Sequence, residues 1–260
     1  MIYASRILIP ALFLGCASLF FSGIPESGSP SRTSIEMPVL SQNNMSDTFI
    51  YNILQKYPAY FSEILKRQDS LGIQVIYTRI DRDKKGRPSF TEHRFGADRG
   101  RYFYPASTVK LPVAVLALQR LNELKIAGLD KNSTMITGSA GGKQTEVTRD
   151  STAPDGRPTI AHYIKKILLV SDNDAFNRLY EFLGQEYINN TLHRMGYEQS
   201  QLIHRLEVSL SEEENRFTNP VRFVDSKGNL IYDKAAERSQ LPYAPRNTRM
   251  GKGRSEEHTS

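Results

Sequence analysis

The sequence predicts an α/β fold in which an antiparallel sheet flanked by helices is joined to an all-helical subdomain. Three observations carry that reading. Residues 48–68 place apolar side chains at helical spacing. Residues 72–80 and 89–96 are rich in β-branched and aromatic side chains on either side of a turn-forming stretch, 81–88, as the two strands of a hairpin should be. Beyond residue 110 the chain turns helical, first over 111–124 and then over 160–170 behind a capping Thr159. With 39% apolar and 24% charged residues among 260, there is enough apolar material for a real core in one or two domains.

Taken in order, residues 1–23 read as an export signal. Residues 1–6 carry one positive charge, and residues 7–21 are apolar or small, too short for a comfortable membrane span and right for a secretory h-region. The one cysteine, Cys16, ends Leu-Phe-Leu-Gly-Cys, which resembles a bacterial lipobox; a lipid anchor at Cys16 and an ordinary cleaved signal both stay open. A lone cysteine excludes an internal disulfide and a cysteine-based zinc site. Residues 24–47, rich in Ser, Pro, Gly and Asn, are expected to be a linker, and residues 48–253 the folded domain. Within the hairpin turn, Asp81, Asp83 and Glu92 nearly fit a calcium loop, but Lys85 puts a cation at a ligand position and no helix flanks the loop. His93, His162, His193 and His204 are dispersed without ligand spacing, and the glycine-rich stretch 138–142 lacks a phosphate-loop pattern, so no metal and no cofactor are expected. The net charge of +6 is scattered without a basic stripe, and no nucleic acid partner is expected.

The chemistry concentrates in two short motifs, Ser107-Thr108-Val109-Lys110 and Ser171-Asp172-Asn173. At average residue usage S-x-x-K arises by chance about once in a chain this long, and S-D-N roughly once in twenty or more such chains, so the pair in this order is the specific signal. If residues 111–124 form a helix, Ser107 sits at its start and Lys110 one turn on, on the same face. A lysine there can polarise the serine hydroxyl and, when neutral, take its proton. The helix start adds backbone N–H groups and a positive dipole end suited to an oxyanion.

Tyr104-Pro105-Ala106-Ser107-Thr108-Val109-Lys110-Leu111-Pro112-Val113 resembles the nucleophile helix of the penicillin-recognising serine hydrolases, most closely their class A β-lactamase branch. Ser171-Asp172-Asn173 with the apolar run behind it resembles that family's second motif, and residues 184–196 its next helix and glycine stop. Arg205-Leu206-Glu207 resembles the start of the class A omega loop, and Thr218-Asn219-Pro220 its exit. The resemblance implies the β-lactamase/DD-peptidase fold. It implies Ser107 as nucleophile, Lys110 as its proton partner, Ser171 as proton relay to the leaving nitrogen and Glu207 as the base that activates water. Asn173 would bind substrate and Lys110. The implied partner is a small β-lactam or a peptidoglycan peptide, met by a monomer in the bacterial periplasm or on its membrane. The implied activity is β-lactam hydrolysis, which confers antibiotic resistance. A D-alanyl peptidase and a non-catalytic cell-wall or penicillin-binding protein are the alternatives.

The chain departs from the family pattern in places. Val208 stands where proline is usual, Ser211 where asparagine helps hold the water, and the aspartate that pairs with the arginine is not evident; Glu212, Glu213 and Glu214 are candidates to supply that charge to Arg205. Residues 225–229 break two strand-like runs and predict an extra hairpin, a lid or a different substrate wall. The third family motif, Lys-Ser/Thr-Gly, does not occur in the 260 residues. Residues 254–260 read as the translation of a sequencing adapter, so the natural sequence is expected to stop near Gly253, with C-terminal strands missing and activity lost with them.

Overall fold

The computed structural model describes residues 47–98, 105–141 and 145–243. The predicted export signal, nearly all of the linker and the adapter-like tail lie outside them. The chain divides into two compact units, Met1–Ala97 and Asp98–Ser260.

In the first unit the segment predicted as one helix is three: α1 (Thr48–Gln55), α2 (Pro58–Lys66) and α3 (Gln68–Leu71). The break falls at Pro58, whose missing N–H and fixed φ suit the first turn of α2 and cannot continue α1. Asp47 starts α1 by accepting the Phe49 N–H at 3.0 Å, a cap contributing about 1 kcal/mol. Strands β1 (Val75–Arg82) and β2 (Pro88–Phe95) pair antiparallel as the predicted hairpin. Their turn is closed by Asp83, whose Oδ1 accepts the Lys85 and Arg87 N–H groups at 2.8 and 2.9 Å, so that oxygen is committed to the turn. At Gly96, φ +61, an added Cβ would lie 2.5 Å from the Ile73 carbonyl oxygen, so glycine alone fits where β2 ends.

The second unit is built around α6 (Asn173–Leu183), whose residues 175–183 are buried on every side. Packed about it are α4 (Lys110–Leu124), α5 (Ile160–Val170) and α7 (Gln185–Arg194). Thr159 caps α5 as predicted, accepting the His162 N–H at 3.1 Å.

This half is not all-helical. Between α4 and α5 lies β3 (Thr134–Thr137), and after the short α8 (Glu212–Arg216) come β4 (Phe217–Thr218), β5 (Val221–Val224), β6 (Leu230–Lys234) and β7 (Glu237–Arg238). They form an antiparallel sheet in the order β3-β5-β6 and a separate β4-β7 pair. Met135 and Phe223, opposite one another in register, are both fully buried, and Phe223 meets Phe182 of α6 edge to face at 5.2 Å. The sheet therefore covers one flank of α6 with apolar side chains, and four-residue strands satisfy their backbone groups by pairing. The hairpin predicted at residues 225–229 joins β5 to β6, with Asp225 Oδ1 accepting the Lys227 and Asn229 N–H groups, each at 2.8 Å.

Candidate active site

Ser107 and Lys110 lie where the chain enters α4. The helix proper begins at Lys110, and Ala106–Val109 form a 3-10 turn ahead of it. In a 3-10 turn residues three apart eclipse one another. That alignment brings Lys110 Nζ to 3.3 Å from Ser107 Oγ.

The second motif arrives from the junction of α5 and α6. Ser171 ends α5 in the left-handed region, φ 56, which turns the chain sharply, and Asp172 starts α6 by accepting the Ala175 N–H at 2.7 Å. Lys110 Nζ reaches Ser171 Oγ at 3.0 Å and also donates to the Ser171 carbonyl. These three partners match the three protons of an ammonium. The bond from Lys110 to Asn173 that the resemblance implied is not among them; Asn173 is half-buried at the first position of α6, beside Ser171.

Lys110 is 2% exposed while Ser107, Ser171 and Glu207 are exposed. Burial holds its pKa below the usual lysine value, against an opposing pull from the negative charges of Asp172 and Glu207. Glu207 therefore lies within electrostatic reach of Lys110, although it comes from a loop 97 residues downstream by subtraction.

Backbone strain marks the same place. Among the described residues, those other than glycine with positive φ are Ala106, Lys125, Ser171 and Glu207. Three of the four either form the site or adjoin Ser107. Each costs roughly 1–3 kcal/mol and persists only where the surroundings fix it, a pattern that concentrates at functional sites.

The surroundings that fix Glu207 are a row of buried polar side chains, Asn177, Glu181, Gln185 and Asn189, spaced four residues apart along α6 and α7. Each engages the segment 202–206. Asn177 brackets Leu206, donating to its carbonyl at 2.9 Å and accepting its N–H at 2.8 Å. Glu181 pairs with the Arg205 guanidinium at 2.7 Å. Gln185 donates to the Ile203 carbonyl at 2.8 Å, and Asn189 brackets Leu202 at 2.7 and 2.8 Å.

The counter-charge of Arg205 is thus Glu181, on the central helix, and not one of Glu212, Glu213 and Glu214 as expected. Those acids open α8, where negative charge meets the positive end of the helix. Glu213 pairs there with Arg216 and Arg238, and Glu214 completes a capping box with Ser211. Sequence reasoning missed Glu181 and Asn177. The signal for them was the four-residue spacing of Asn177, Glu181, Gln185 and Asn189.

Residues 68–240, about two thirds of the chain, match the family model described as Beta-lactamase2, the beta-lactamase enzyme family. The matched span contains the hairpin, both serine motifs and the Arg205–Asn219 loop. No curated protein and no solved structure matches the chain.

Proposed function

This chain belongs to the beta-lactamase enzyme family, and on that premise we propose that it is a serine hydrolase opening β-lactam rings through an acyl-enzyme on Ser107. One observation carries the reading: a buried lysine stands between two serine hydroxyls, 3.3 Å from Ser107 Oγ and 3.0 Å from Ser171 Oγ. Burial favours the neutral amine. With two of its protons donated to the Ser171 oxygens, a neutral Lys110 directs its lone pair at Ser107. It takes the hydroxyl proton as Oγ attacks the lactam carbonyl carbon. The ring C–N bond then breaks, and the departing nitrogen takes the Ser171 hydroxyl proton, which Lys110 replaces. Asn173, beside Ser171, holds the substrate. Glu207 draws a proton from water, the resulting hydroxide adds to the ester carbonyl, the bond to Ser107 Oγ breaks, and Ser107 takes up the proton that Glu207 held. The sequence signal at residues 1–23 supports an exported enzyme, periplasmic or lipid-anchored at Cys16.

A second reading, a peptidoglycan D-alanyl peptidase of the same fold, is favoured by Ser211. Its hydroxyl caps α8 by accepting the Glu214 N–H at 3.2 Å, and its side chain is shorter than the asparagine that helps hold the water at this place in the family pattern.

Labelling with a fluorescent penicillin, followed by intact mass, tests both in a chain completed through the Lys-Ser/Thr-Gly motif. Ser107→Ala is expected to abolish labelling, and Glu207→Ala to take up the label and hold it as a long-lived acyl-enzyme. Labelling that survives Ser107→Ala overturns both readings. Equal release rates in the wild type and Glu207→Ala overturn the lactamase in favour of the peptidase.

A further inference from the structure

Glu181 is fully buried on α6, and each of its carboxylate oxygens has its own task. Oε1 accepts from Arg205 Nε at 2.7 Å, and Oε2 accepts the Asn219 backbone N–H at 2.6 Å. Residue 205 opens the loop that carries Glu207 and residue 219 closes it, so one carboxylate clasps both ends. Arg205 reinforces the closure by donating to the Phe217 carbonyl and, at 3.5 Å, to Asn215 Oδ1. One turn before Glu181 on α6, Asn177 pins Leu206 by both backbone groups, and Glu207 is the next residue, turned outward at φ 57.

A fully buried ion pair is a weak source of net stability, because removing both charges from water offsets most of their attraction; its best-attested use is to fix one register among several. We infer that Glu181 is the positioning residue of the deacylation step, holding the Glu207 loop in the register from which Glu207 reaches the acyl-enzyme. The inference rests on the hydrolase reading above, in which Glu207 acts after acylation. Its chemical consequence is a split between two steps. Acylation uses Ser107, Lys110 and Ser171, none of which the clasp touches, and release uses Glu207, which it positions.

The test is Glu181→Gln in the full chain. Glutamine keeps the shape but has one acceptor oxygen for two donors, so one end of the loop is let go. Single-turnover mass spectrometry with a penicillin is expected to show an acyl-enzyme lifetime at least tenfold longer, with the acylation rate within about threefold of wild type. Glu181→Gln combined with Glu207→Gln is expected to release no more slowly than Glu207→Gln alone, since both act on one step. A lifetime within twofold of wild type, or acylation and release falling together, overturns the inference. If Glu181→Gln does not fold, Glu181→Met with Arg205→Met removes both buried charges, and the same split is expected of it. A wild type that takes up no acyl group at all overturns the hydrolase reading instead. The clasp is then read by hydrogen exchange, where faster exchange at Leu206, Glu207 and Asn219 with α4 and α5 unchanged supports it and unchanged exchange overturns it.

Discussion

In the proposed mechanism Lys110 is the residue on which the chemistry turns, and its environment fixes the direction of a pH dependence. Burial disfavours the ammonium, whereas the charges of Asp172 and Glu207 favour it; burial wins, so the folded pKa lies below the usual lysine value. The neutral form is the competent base in the proposed mechanism, so the acylation rate should rise with pH and level off below the ordinary lysine value of about 10.4. Removing either opposing charge should move that limb further down. Asp172→Asn keeps a side chain able to cap α6, and Glu207→Gln keeps the shape of the loop, so each changes charge more than fold. Stopped-flow acylation of Ser107 between pH 5 and pH 10, in wild type and both variants, checks the order of the three limbs. A rate independent of pH, or variants whose limbs move upward, would remove Lys110 from the role of base.

The α6–α7 row holds its segment by recognising backbone, which makes its worth measurable one rung at a time. Asn177 satisfies both backbone groups of Leu206. Replacing it by leucine, similar in size but unable to hydrogen-bond, leaves a buried donor and a buried acceptor unpaired, at about 1–3 kcal/mol each. Asn177→Leu is therefore expected to lower unfolding stability by roughly 2–4 kcal/mol and to slow release of the acyl group, with urea denaturation and single-turnover mass as the two readouts. The same row shows where the sequence was legible and where it was not. Thr159 before an apolar run located α5, and the spacing of Ser107 and Lys110 foretold that their side chains meet, because caps and one-turn neighbours are local rules. A polar row at four-residue spacing looks the same in sequence whether it faces water or a neighbouring backbone. Only the tertiary fold, which buries α6 on every side, distinguishes the two, and it is also what makes Glu181 the partner of Arg205. The short strand β3 escaped for a related reason. Four residues are too few for a period of two to declare itself, and its pairing with β5 is long-range.

At the scale of the whole molecule, the buried charges of the second unit are not equally well matched. Arg205 meets a fully buried Glu181, and the loss of hydration is shared and offset in a tight pair. Arg178 meets Asp174 at 2.9 Å and also donates to the Thr145 carbonyl. Lys234, at the end of β6, is 8% exposed, whereas its partner Glu237, 3.0 Å away, is half exposed and keeps much of its water. The lysine therefore bears the desolvation, and burial lowers its pKa despite the attraction of Glu237 and Glu181, with the charge of Arg120 adding to the fall. A lysine whose pKa is lower in the folded than in the unfolded chain costs stability in full below the folded value, and that cost fades as pH rises from there towards about 10.4. Lys234→Met keeps the aliphatic length, removes the ammonium and leaves behind an acid that water can solvate. The variant should therefore be more stable than wild type at pH 7 by roughly 1 kcal/mol or more, on the pattern of buried ions replaced by apolar groups. The difference should shrink as pH approaches 10, because the lysine of the folded chain gives up its proton first and the cost of burying the ammonium goes with it. Urea unfolding of the two proteins at pH 7 and pH 10 checks both the sign and the trend. A variant less stable at pH 7, or a gap that widens with pH, would mean that the Lys234–Glu237 pair holds β6 against β7 more strongly than its burial costs.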